Sequence, residues 1–224
     1  MRMASLADQL ISLLGPDRVS VTQTDIATHS TDKWFASNPP DVVVHAESTA
    51  EVSEVLRFAN ANKIPVTPQG SRVGYVGGCV PLQGGIALSV ARLNKIKEIT
   101  LADGVAVIEP GVITENLQQF AQSKNLLYPV DFAARGSSQM GGNIATNAGG
   151  IKVLRYGLTR DWIVGLEVVT GSGEILHLNN GLVKNATGLD LRHLFIGSEG
   201  TLGFITKALV RLAPAPPPVK VLVL

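Results

Sequence analysis

The spacing of apolar residues predicts alternating helices and strands over residues 1–93. Apolar residues recur every three or four positions in two stretches, which predicts a short amphipathic helix over 4–14 and a second helix after residue 48. Three short continuous apolar runs predict buried strands at 41–45, 64–67 and 86–90. Strand, helix, strand, loop and strand is the order of an α/β unit.

The ends of these helices carry signals of their own. Gly15-Pro16 is predicted to stop the first helix. Ser48 and Glu51 have the spacing of a capping box, in which a hydroxyl and a carboxylate accept each other's backbone N–H groups. Further along, Thr114 is predicted to cap another helix. The buried stripe of that helix is predicted to contain Leu117, Phe120 and Ala121.

After residue 93 the pattern changes to that of paired strands. One hairpin is predicted around Asp103-Gly104, between strands at 96–100 and 105–109. A second is predicted around 171–173, and its strands are 162–170 and 174–178. The last strand before a run of prolines is predicted at 208–212.

These patterns together predict an α+β protein whose chain is divided into two consecutive subdomains. We expect a first subdomain over 1–93 and a second, largely antiparallel one over 94–213. The proline run from residue 214 has the composition of a stiff linker. Residues 219–224 resemble a fresh strand, which we interpret as the start of a further domain.

Three glycine-rich stretches interrupt the predicted elements, at 68–78, 136–157 and 195–206. Glycine lets main-chain N–H groups approach a ligand and tolerates positive φ. A helix of about one and a half turns, predicted over 143–148, would point its first N–H groups at a phosphate. The first two stretches lack both the Gly-x-Gly-x-x-Gly fingerprint and the P-loop ending, which disfavours a nicotinamide Rossmann domain and a nucleotide triphosphatase.

Composition disfavours several other classes. A content of 45% hydrophobic and 17% charged residues is typical of a globular chain, and a net charge of +1 with 5% aromatic residues gives no reason to expect nucleic acid as a partner. No apolar run approaches the roughly 20 residues of a membrane span, so we expect no transmembrane segment. Asp8 and Gln9 interrupt any signal peptide, and we expect a cytoplasmic location.

The cysteine and the histidines give no metal-binding pattern. Cys79 is the only cysteine, which excludes an internal disulfide, and we interpret it as a small, partly buried apolar residue. The four histidines have no metal-ligand spacing, so we expect no metal site unless the fold brings two of them together.

The three glycine-rich stretches, in this order, resemble those of the FAD-binding domain of the vanillyl-alcohol-oxidase superfamily, also called the p-cresol methylhydroxylase (PCMH) type. The resemblance covers nearly the whole chain, through Pro40–Val44, the loop at 65–85, Gly141–Gly150 and Gly197–Gly203. Within the superfamily, the chain is most similar to the branch of D-lactate dehydrogenases, the glycolate oxidase flavin subunit and D-2-hydroxyglutarate dehydrogenase. This resemblance implies an extended FAD between two α+β subdomains.

The resemblance implies three groups of FAD-binding residues. The first glycine-rich loop would hold the pyrophosphate with Pro68, Gln69, Gly70, Ser71, Arg72, Val73 and Gly74. The second stretch would line the flavin and ribityl chain, and from it we include Ser137, Ser138, Gly141, Gly142, Asn143, Thr146, Asn147, Gly149, Gly150, Tyr156 and Gly157. The third would lie toward the adenosine end, with Glu199, Gly200 and Ile205.

The first loop departs from the pattern of the superfamily. Where relatives usually have Gly-Thr-Gly, this chain has Arg72-Val73-Gly74, so a hydroxyl is replaced and a cation is added. Arg72 would either pair with the pyrophosphate or point outward as a solvated arginine. Some superfamily members attach FAD through a histidine in this loop; residues 68–78 contain none, and Cys79 is not placed like the cysteine of doubly attached members. We therefore expect non-covalent FAD.

The resemblance also implies an activity and its partners. Such enzymes oxidise a D-2-hydroxy acid to the 2-oxo acid by hydride transfer to flavin N5, then pass electrons to a second acceptor. In the family, the substrate-binding residues, the base and, in some branches, a metal come from a cap domain and C-terminal segment. We therefore assign no catalytic residue, and expect these 224 residues to bind FAD but turn over substrate poorly without that domain or a partner subunit.

Two other functions stay open. One is a different flavoenzyme on the same domain, such as an aldonolactone oxidase, an ether-lipid synthase or a cell-wall sugar reductase. The missing first-loop histidine and the sequence of the Gly141–Gly150 core count against it. The other is a non-catalytic flavin-binding or assembly subunit that works only with a partner chain.

Overall fold

The computed structural model describes residues 4–100, 103–182 and 184–217, with the backbone alone for 98–100. Its first sheet has four strands in the order β1-β2-β4-β3. The strands are β1 (Val19–Ser20), β2 (Val42–His45), β3 (Val66–Gln69) and β4 (Ile86–Ser89). Strands β2 and β3 both pair with β4 in parallel, as the predicted α/β order requires, while β1 pairs with β2 antiparallel.

Strand β3 lies two residues later than predicted. Its register pairs Val66 with Ile86, so the strand includes Pro68 and Gln69 and the glycine-rich loop begins at Gly70. Pro68 is tolerated there because β3 is an edge strand, where a missing N–H breaks no ladder.

The second sheet has five strands in the order β5-β6-β10-β8-β9, all antiparallel. They are β5 (Ile96–Thr100), β6 (Val105–Ile108), β8 (Ile163–Val169), β9 (Ile175–Leu178) and β10 (Phe204–Arg211). Both predicted hairpins and the antiparallel character of this half are confirmed. The last strand, however, starts at Phe204 instead of 208, because Phe204 and Ile205 pair with Val169 and Val168.

A third sheet, of two strands, includes the start of the predicted linker. Strand β11 (Ala213–Pro214) pairs with β7 (Leu126–Leu127), and the Ala215 N–H donates to the Asn125 carbonyl at 3.0 Å. The proline run therefore begins as a paired strand. The strand predicted at 219–224 lies outside the described residues, and the division of the chain at residues 93 and 213 stays a prediction.

Seven α-helices complete the described part of the chain: α1 (Leu6–Leu14), α2 (Gln23–His29), α3 (Thr49–Asn62), α4 (Thr114–Gln122), α5 (Met140–Ala145), α6 (Val153–Tyr156) and α7 (Arg192–Phe195). Short 3₁₀ turns cover 16–18 and 159–162. No helix among these described elements combines the length and apolar character needed to cross a membrane.

Two of the predicted helix starts differ in detail from the structure. The Ser48 hydroxyl accepts the Glu51 N–H at 3.2 Å, but the Glu51 carboxylate accepts the N–H of Glu47, at 2.6 Å, so the box is only half formed. Thr114 is the first helical residue and not the cap of α4. The Thr114 N–H donates to the Ser138 carbonyl at 3.0 Å, so a tertiary contact does what a capping side chain would do.

The two large sheets share buried contacts. Val169 and Phe204, which belong to β8 and β10, lie in the hydrophobic cluster formed by α1, α3 and the first sheet. The buried Glu167 carboxylate accepts hydrogen bonds from the Thr49 hydroxyl at 2.7 Å and from the Lys207 ammonium at 2.6 Å. Helix α3 is thereby joined to the second sheet. The ends of β3, α5 and β10 meet beside this junction and form a cleft.

Candidate cofactor-binding cleft

A cleft of about 330 Å³ lies where the three glycine-rich stretches meet. The structure brings together many of the predicted site residues as its lining: Pro68, Gln69, Gly70, Ser71, Arg72, Val73, Gly74, Ser138, Gly141, Gly142, Asn143, Thr146, Glu199, Gly200 and Ile205. The remaining predicted residues do not line the cleft: Ser137, Asn147, Gly149, Gly150, Tyr156 and Gly157. All seven predicted residues of the first loop therefore line the cleft, whereas the second stretch lines it only between Ser138 and Ala148.

The loop after β3 offers unpartnered polar groups to the cleft. Its N–H groups at 71–76 have no acceptor among the described residues. The Ser71 Oγ is buried and also has no partner in that part of the chain. A buried polar group is costly unless it is hydrogen-bonded, so the Ser71 hydroxyl, with the N–H groups beside it, is suited to a ligand that brings acceptor oxygens.

Arg72 adds a positive charge to the same loop. It has a left-handed backbone, with φ of 57°, and its Nη1 donates to the Gly70 carbonyl at 3.2 Å. The guanidinium is half-buried, and this burial lowers the pKa of Arg72 from its ordinary value. An arginine pKa starts so far above neutrality that the group stays charged. Arg72 thus lines the cleft and does not extend outward as a fully solvated side chain.

The second wall of the cleft is held by a buried polar network. The Asn143 Nδ2 donates to the Thr114 Oγ1 at 2.6 Å, and the Thr114 and Ser138 hydroxyl oxygens lie 2.8 Å apart. All three residues are buried. Because Ser138 and Asn143 already bond within the chain, their side chains fix the position of α5 against α4.

Helix α5 begins three residues earlier than the predicted helix, and this changes which N–H groups face the cleft. The Met140 N–H donates to the Val112 carbonyl at 2.9 Å, and the Gly141 N–H donates to the Pro110 carbonyl at 2.7 Å. The Gly142 N–H has no acceptor among the residues that the structure describes. A Cβ added at Gly142 would meet nothing within 4 Å, so this residue leaves open space in the cleft.

The third wall is attached to the end of α5. The Glu199 N–H donates to the Ala145 carbonyl at 2.8 Å, and the Gly197 N–H donates to the Ile144 carbonyl at 3.1 Å. These bonds satisfy carbonyls at the helix C-terminus. Gly200 has a φ of 79° and packs on Pro68, whose ring would lie 3.0 Å from an added Cβ. The exposed Glu199 is thus placed opposite the first loop.

The predicted residues outside the lining shape the backbone around the cleft. An added Cβ at Gly150 would lie 1.9 Å from the Asp131 carbonyl oxygen. Gly157 has a φ of 74°, and the Tyr156 carbonyl accepts the Trp162 Nε1–H at 2.7 Å. The Asn147 Oδ1 accepts the Arg160 N–H at 3.0 Å. The Ser137 Oγ donates to the Ala134 carbonyl at 3.3 Å, and an added Cβ at Gly149 would lie 2.9 Å from the Leu158 side chain.

Several lining residues were missed by the sequence analysis, chiefly Tyr75, Val76, Cys79, Val90, Phe132, Gln139 and Phe204. Tyr75 and Val76 are exposed apolar residues inside a glycine-rich loop, which is a signal that could have identified them. Cys79 is half-buried, as interpreted from the sequence, and burial raises the pKa of its thiol. Among the described residues, no group of three potential metal-ligating side chains is present.

Two histidines that are distant in sequence meet beneath this loop. The His29 and His45 rings are edge-to-face, with centroids 5.4 Å apart, and His29 is only 4% exposed. The His45 Nε2 lies 3.7 Å from the Asp25 Oδ2. Burial lowers the pKa of both histidines, although the hydrogen bond to Gln69 opposes this at His29 and the Asp25 carboxylate opposes it at both. The Arg72 charge lowers both pKa values further, and Arg92 adds to this at His45.

This histidine pair predicts an acid-sensitive fold. Because both pKa values are lowered by folding, the unfolded chain binds more protons below about pH 6.5, the ordinary histidine pKa. The stabilising contribution is therefore present above that pH and is lost as the pH falls toward the folded-state values. Urea unfolding at several pH values measures the free energy of unfolding. We expect this free energy to depend less steeply on pH in a variant with His29→Asn and His45→Asn. An unchanged slope would show that other groups cause the acid sensitivity.

Comparisons with known proteins identify the family of the chain. A family model described as an FAD binding domain matches residues 40–179. The chain is 48% identical over 222 residues to a D-2-hydroxyglutarate dehydrogenase of Stutzerimonas stutzeri, covering 98% of this chain and 48% of that protein. It is 39% identical over 210 residues to the glycolate oxidase subunit GlcD of Bacillus subtilis, covering 93% and 45%.

A solved structure of alkyldihydroxyacetonephosphate synthase has the same fold, with a TM-score of 0.84 and 25% identity; the match covers 94% of this chain and 43% of that one. The protein is thus an α+β flavoprotein domain of the PCMH type. The chain belongs to the FAD-binding domain family. It spans about half the length of the curated relatives that it matches.

Proposed function

We propose that this chain binds FAD non-covalently in the cleft and serves as the flavin domain of an enzyme that oxidises a D-2-hydroxy acid to the 2-oxo acid. The observation that carries the proposal is the loop of unpartnered N–H groups at 71–76, together with the orphan Ser71 hydroxyl and the cationic Arg72. A dinucleotide brings a diphosphate that needs donors of this kind once it leaves water. The apolar residues Phe204 and Ile205 suit its ring systems.

We propose the same division of roles among the residues as the resemblance implied. The first loop, Pro68 to Gly74, would bind the pyrophosphate, and Glu199, Gly200 and Ile205 would lie toward the adenosine. Ser138 and the 141–146 segment would line the flavin and ribityl chain. The residues outside the lining would support the site through its backbone: Ser137, Asn147, Gly149, Gly150, Tyr156 and Gly157. A non-covalent link is supported by the raised pKa of Cys79, because its thiol is poorly ionised.

The chemistry of hydride acceptance is supplied by the flavin when it is bound. The residues of this chain would bind and orient the cofactor, and the apolar parts of the cleft would exclude water from it. We assign no catalytic base among them, and we propose no metal site.

Arg72→Met is expected to weaken FAD binding about 10- to 100-fold, because a charge-assisted hydrogen bond contributes about 1.5–3 kcal/mol. Titration of the apoprotein, followed by flavin fluorescence, measures this change. Riboflavin has no phosphate, so its weaker binding should be unaffected. The exposed Arg92, which pairs with Glu47, provides a matched control as Arg92→Met. Equal losses for FAD and riboflavin would exclude a phosphate contact.

The substrate class is supported by the relatives named D-2-hydroxyglutarate dehydrogenase, with up to 50% identity, and D-lactate dehydrogenase, with 42%. A chimera provides the test, with this chain in place of the matching half of the Stutzerimonas enzyme. We expect anaerobic D-2-hydroxyglutarate, but not its L-enantiomer, to bleach the chimera's flavin. A chimera that holds FAD but is bleached by no D-2-hydroxy acid would contradict the proposed substrate class.

The partners and the compartment are parts of the same proposal. A second electron acceptor and a cap domain or partner subunit would complete the reaction, as the name of the GlcD relative, a subunit, suggests. We retain the cytoplasmic location as a proposal, although some relatives carry the word mitochondrial in their names.

A further inference from the structure

We infer that His29 is a positioning residue for the cleft loop, and that it acts through Gln69 as part of a positioning segment formed by residues 29–34. This inference rests on the proposed FAD-binding function. The segment begins at His29, the last residue of helix α2, and lies outside both the cleft lining and the glycine-rich stretches. It contacts the loop at several separate points.

The first contact is a buried clamp at the base of the loop. The Gln69 Nε2 donates to the His29 carbonyl at 2.8 Å and to the Cys79 carbonyl at 2.7 Å. These two acceptors fix the orientation of the amide, so the Gln69 Oε1 must be an acceptor. It faces the His29 Nδ1, which therefore carries a proton and donates to it. The neutral tautomer with its proton on Nδ1 and the positively charged imidazolium both carry an Nδ1–H, so either form can donate this hydrogen bond.

The clamp closes the loop into a ring. Gln69 lies immediately before the loop and Cys79 at its far end, and the 2.7 Å bond joins the two. Gln69 is 1% exposed and His29 4% exposed, so water competes little with these hydrogen bonds. The N–H groups offered to the cleft lie between the two joined ends.

The segment holds the far side of the loop as well. The Asp32 Oδ2 accepts the Gly77 N–H at 3.0 Å, and the Lys33 N–H donates to the Gly74 carbonyl at 3.1 Å. The Trp34 and Tyr75 rings meet edge-to-face, with centroids 5.9 Å apart. A loop held at both ends and at its middle loses less conformational entropy when it closes on a ligand.

The test uses His29→Leu, which removes the donor, and His29→Asn, whose amide nitrogen can replace Nδ1. His45→Leu is the matched control, because His45 is the neighbouring histidine and has no hydrogen bond to Gln69. Two quantities are measured: the FAD dissociation constant of each folded variant, and amide hydrogen exchange at Gly77 and Val80 in the apoprotein. The Gly77 and Val80 N–H groups are hydrogen-bonded, to the Asp32 Oδ2 at 3.0 Å and to the Gly77 carbonyl at 2.9 Å, so their exchange reports how firmly the end of the loop is held.

We expect His29→Leu to raise the FAD dissociation constant about tenfold, the effect of one lost buried hydrogen bond, and to speed exchange at Gly77 and Val80. His29→Asn should restore both values, whereas His45→Leu should change neither even if it lowers the melting temperature. The inference is overturned if His29→Leu leaves loop exchange and affinity unchanged, or if His29→Asn is as defective as His29→Leu.

A second variant covers the case in which His29→Leu fails to fold. Asp32→Ala removes the acceptor of the Gly77 N–H, so it should speed exchange at Gly77 and weaken FAD binding. Unchanged exchange at Gly77 would overturn the role of the segment. A wild-type protein that binds no FAD would contradict the proposed function instead, and exchange in the apoprotein would still test the clamp.

Discussion

Gly142→Leu should weaken FAD binding at least about 100-fold, equivalent to about 2.7 kcal/mol, while the fold stays intact. Gly142 lines the cleft, and an added Cβ there meets no atom within 4 Å, so the new side chain enters the cleft, where we propose that FAD binds, and not the protein core. Its N–H is also unpartnered among the described residues. Flavin fluorescence titration measures the loss, and the melting temperature of the apoprotein reports the fold.

The smaller substitution Gly142→Ala gives a sharper version of this prediction. Glycine within a helix costs about 0.5–1 kcal/mol relative to alanine, so the apoprotein should become slightly more stable while its FAD affinity falls. Gly171, in the turn between β8 and β9, also has open space around it, and Gly171→Leu is the matched control. Undiminished FAD affinity in Gly142→Leu would show that the cofactor does not lie against α5.

Gly150→Ala should have the largest effect on stability of any substitution considered. A methyl group at this position would lie 1.9 Å from the Asp131 carbonyl oxygen and 2.7 Å from its carbon, which are backbone atoms that cannot rotate away. The Ile151 N–H donates to the same oxygen at 2.9 Å, so a shift that relieves the clash also breaks this bond. We expect a loss of at least about 3 kcal/mol of unfolding free energy.

Chemical denaturation of the apoprotein measures this loss. Gly171→Ala is the matched control, because it adds the same methyl group at a position where nothing lies within 4 Å. FAD affinity alone would not distinguish the two glycines, since both variants are expected to bind poorly. Apoprotein stability does distinguish them, because Gly142→Ala should increase it and Gly150→Ala should decrease it. If the Gly150→Ala variant were as stable as the unmodified chain, Gly150 would not pack closely against Asp131 in solution.

Periodicity was sufficient to predict much of the fold. Helices α1 and α3, the parallel strands and both antiparallel hairpins follow from local spacing and turn residues, which the sequence displays directly. The boundaries that differed were set by distant partners. Strand β10 starts at Phe204 because β8 offers Val169 as a partner, and α4 needs no capping side chain because Ser138 supplies a carbonyl.

The glycine-rich stretches predicted the location of the cleft but not the role of each glycine. Gly142 and Gly150 belong to the same stretch, yet one opens the cleft and the other packs against a neighbouring backbone. This difference depends on what lies opposite each Cα, which local sequence does not reveal. His29 was missed for a related reason, since its partner Gln69 is 40 residues away and no local pattern links the two positions.

The central claim is that this chain holds FAD non-covalently in the cleft, and the visible absorption spectrum of the purified protein, recorded before and after acid precipitation, tests it most directly. We expect a yellow protein that releases free FAD into the supernatant. A colourless protein that takes up no added FAD, or a flavin that stays with the precipitate, would contradict the account.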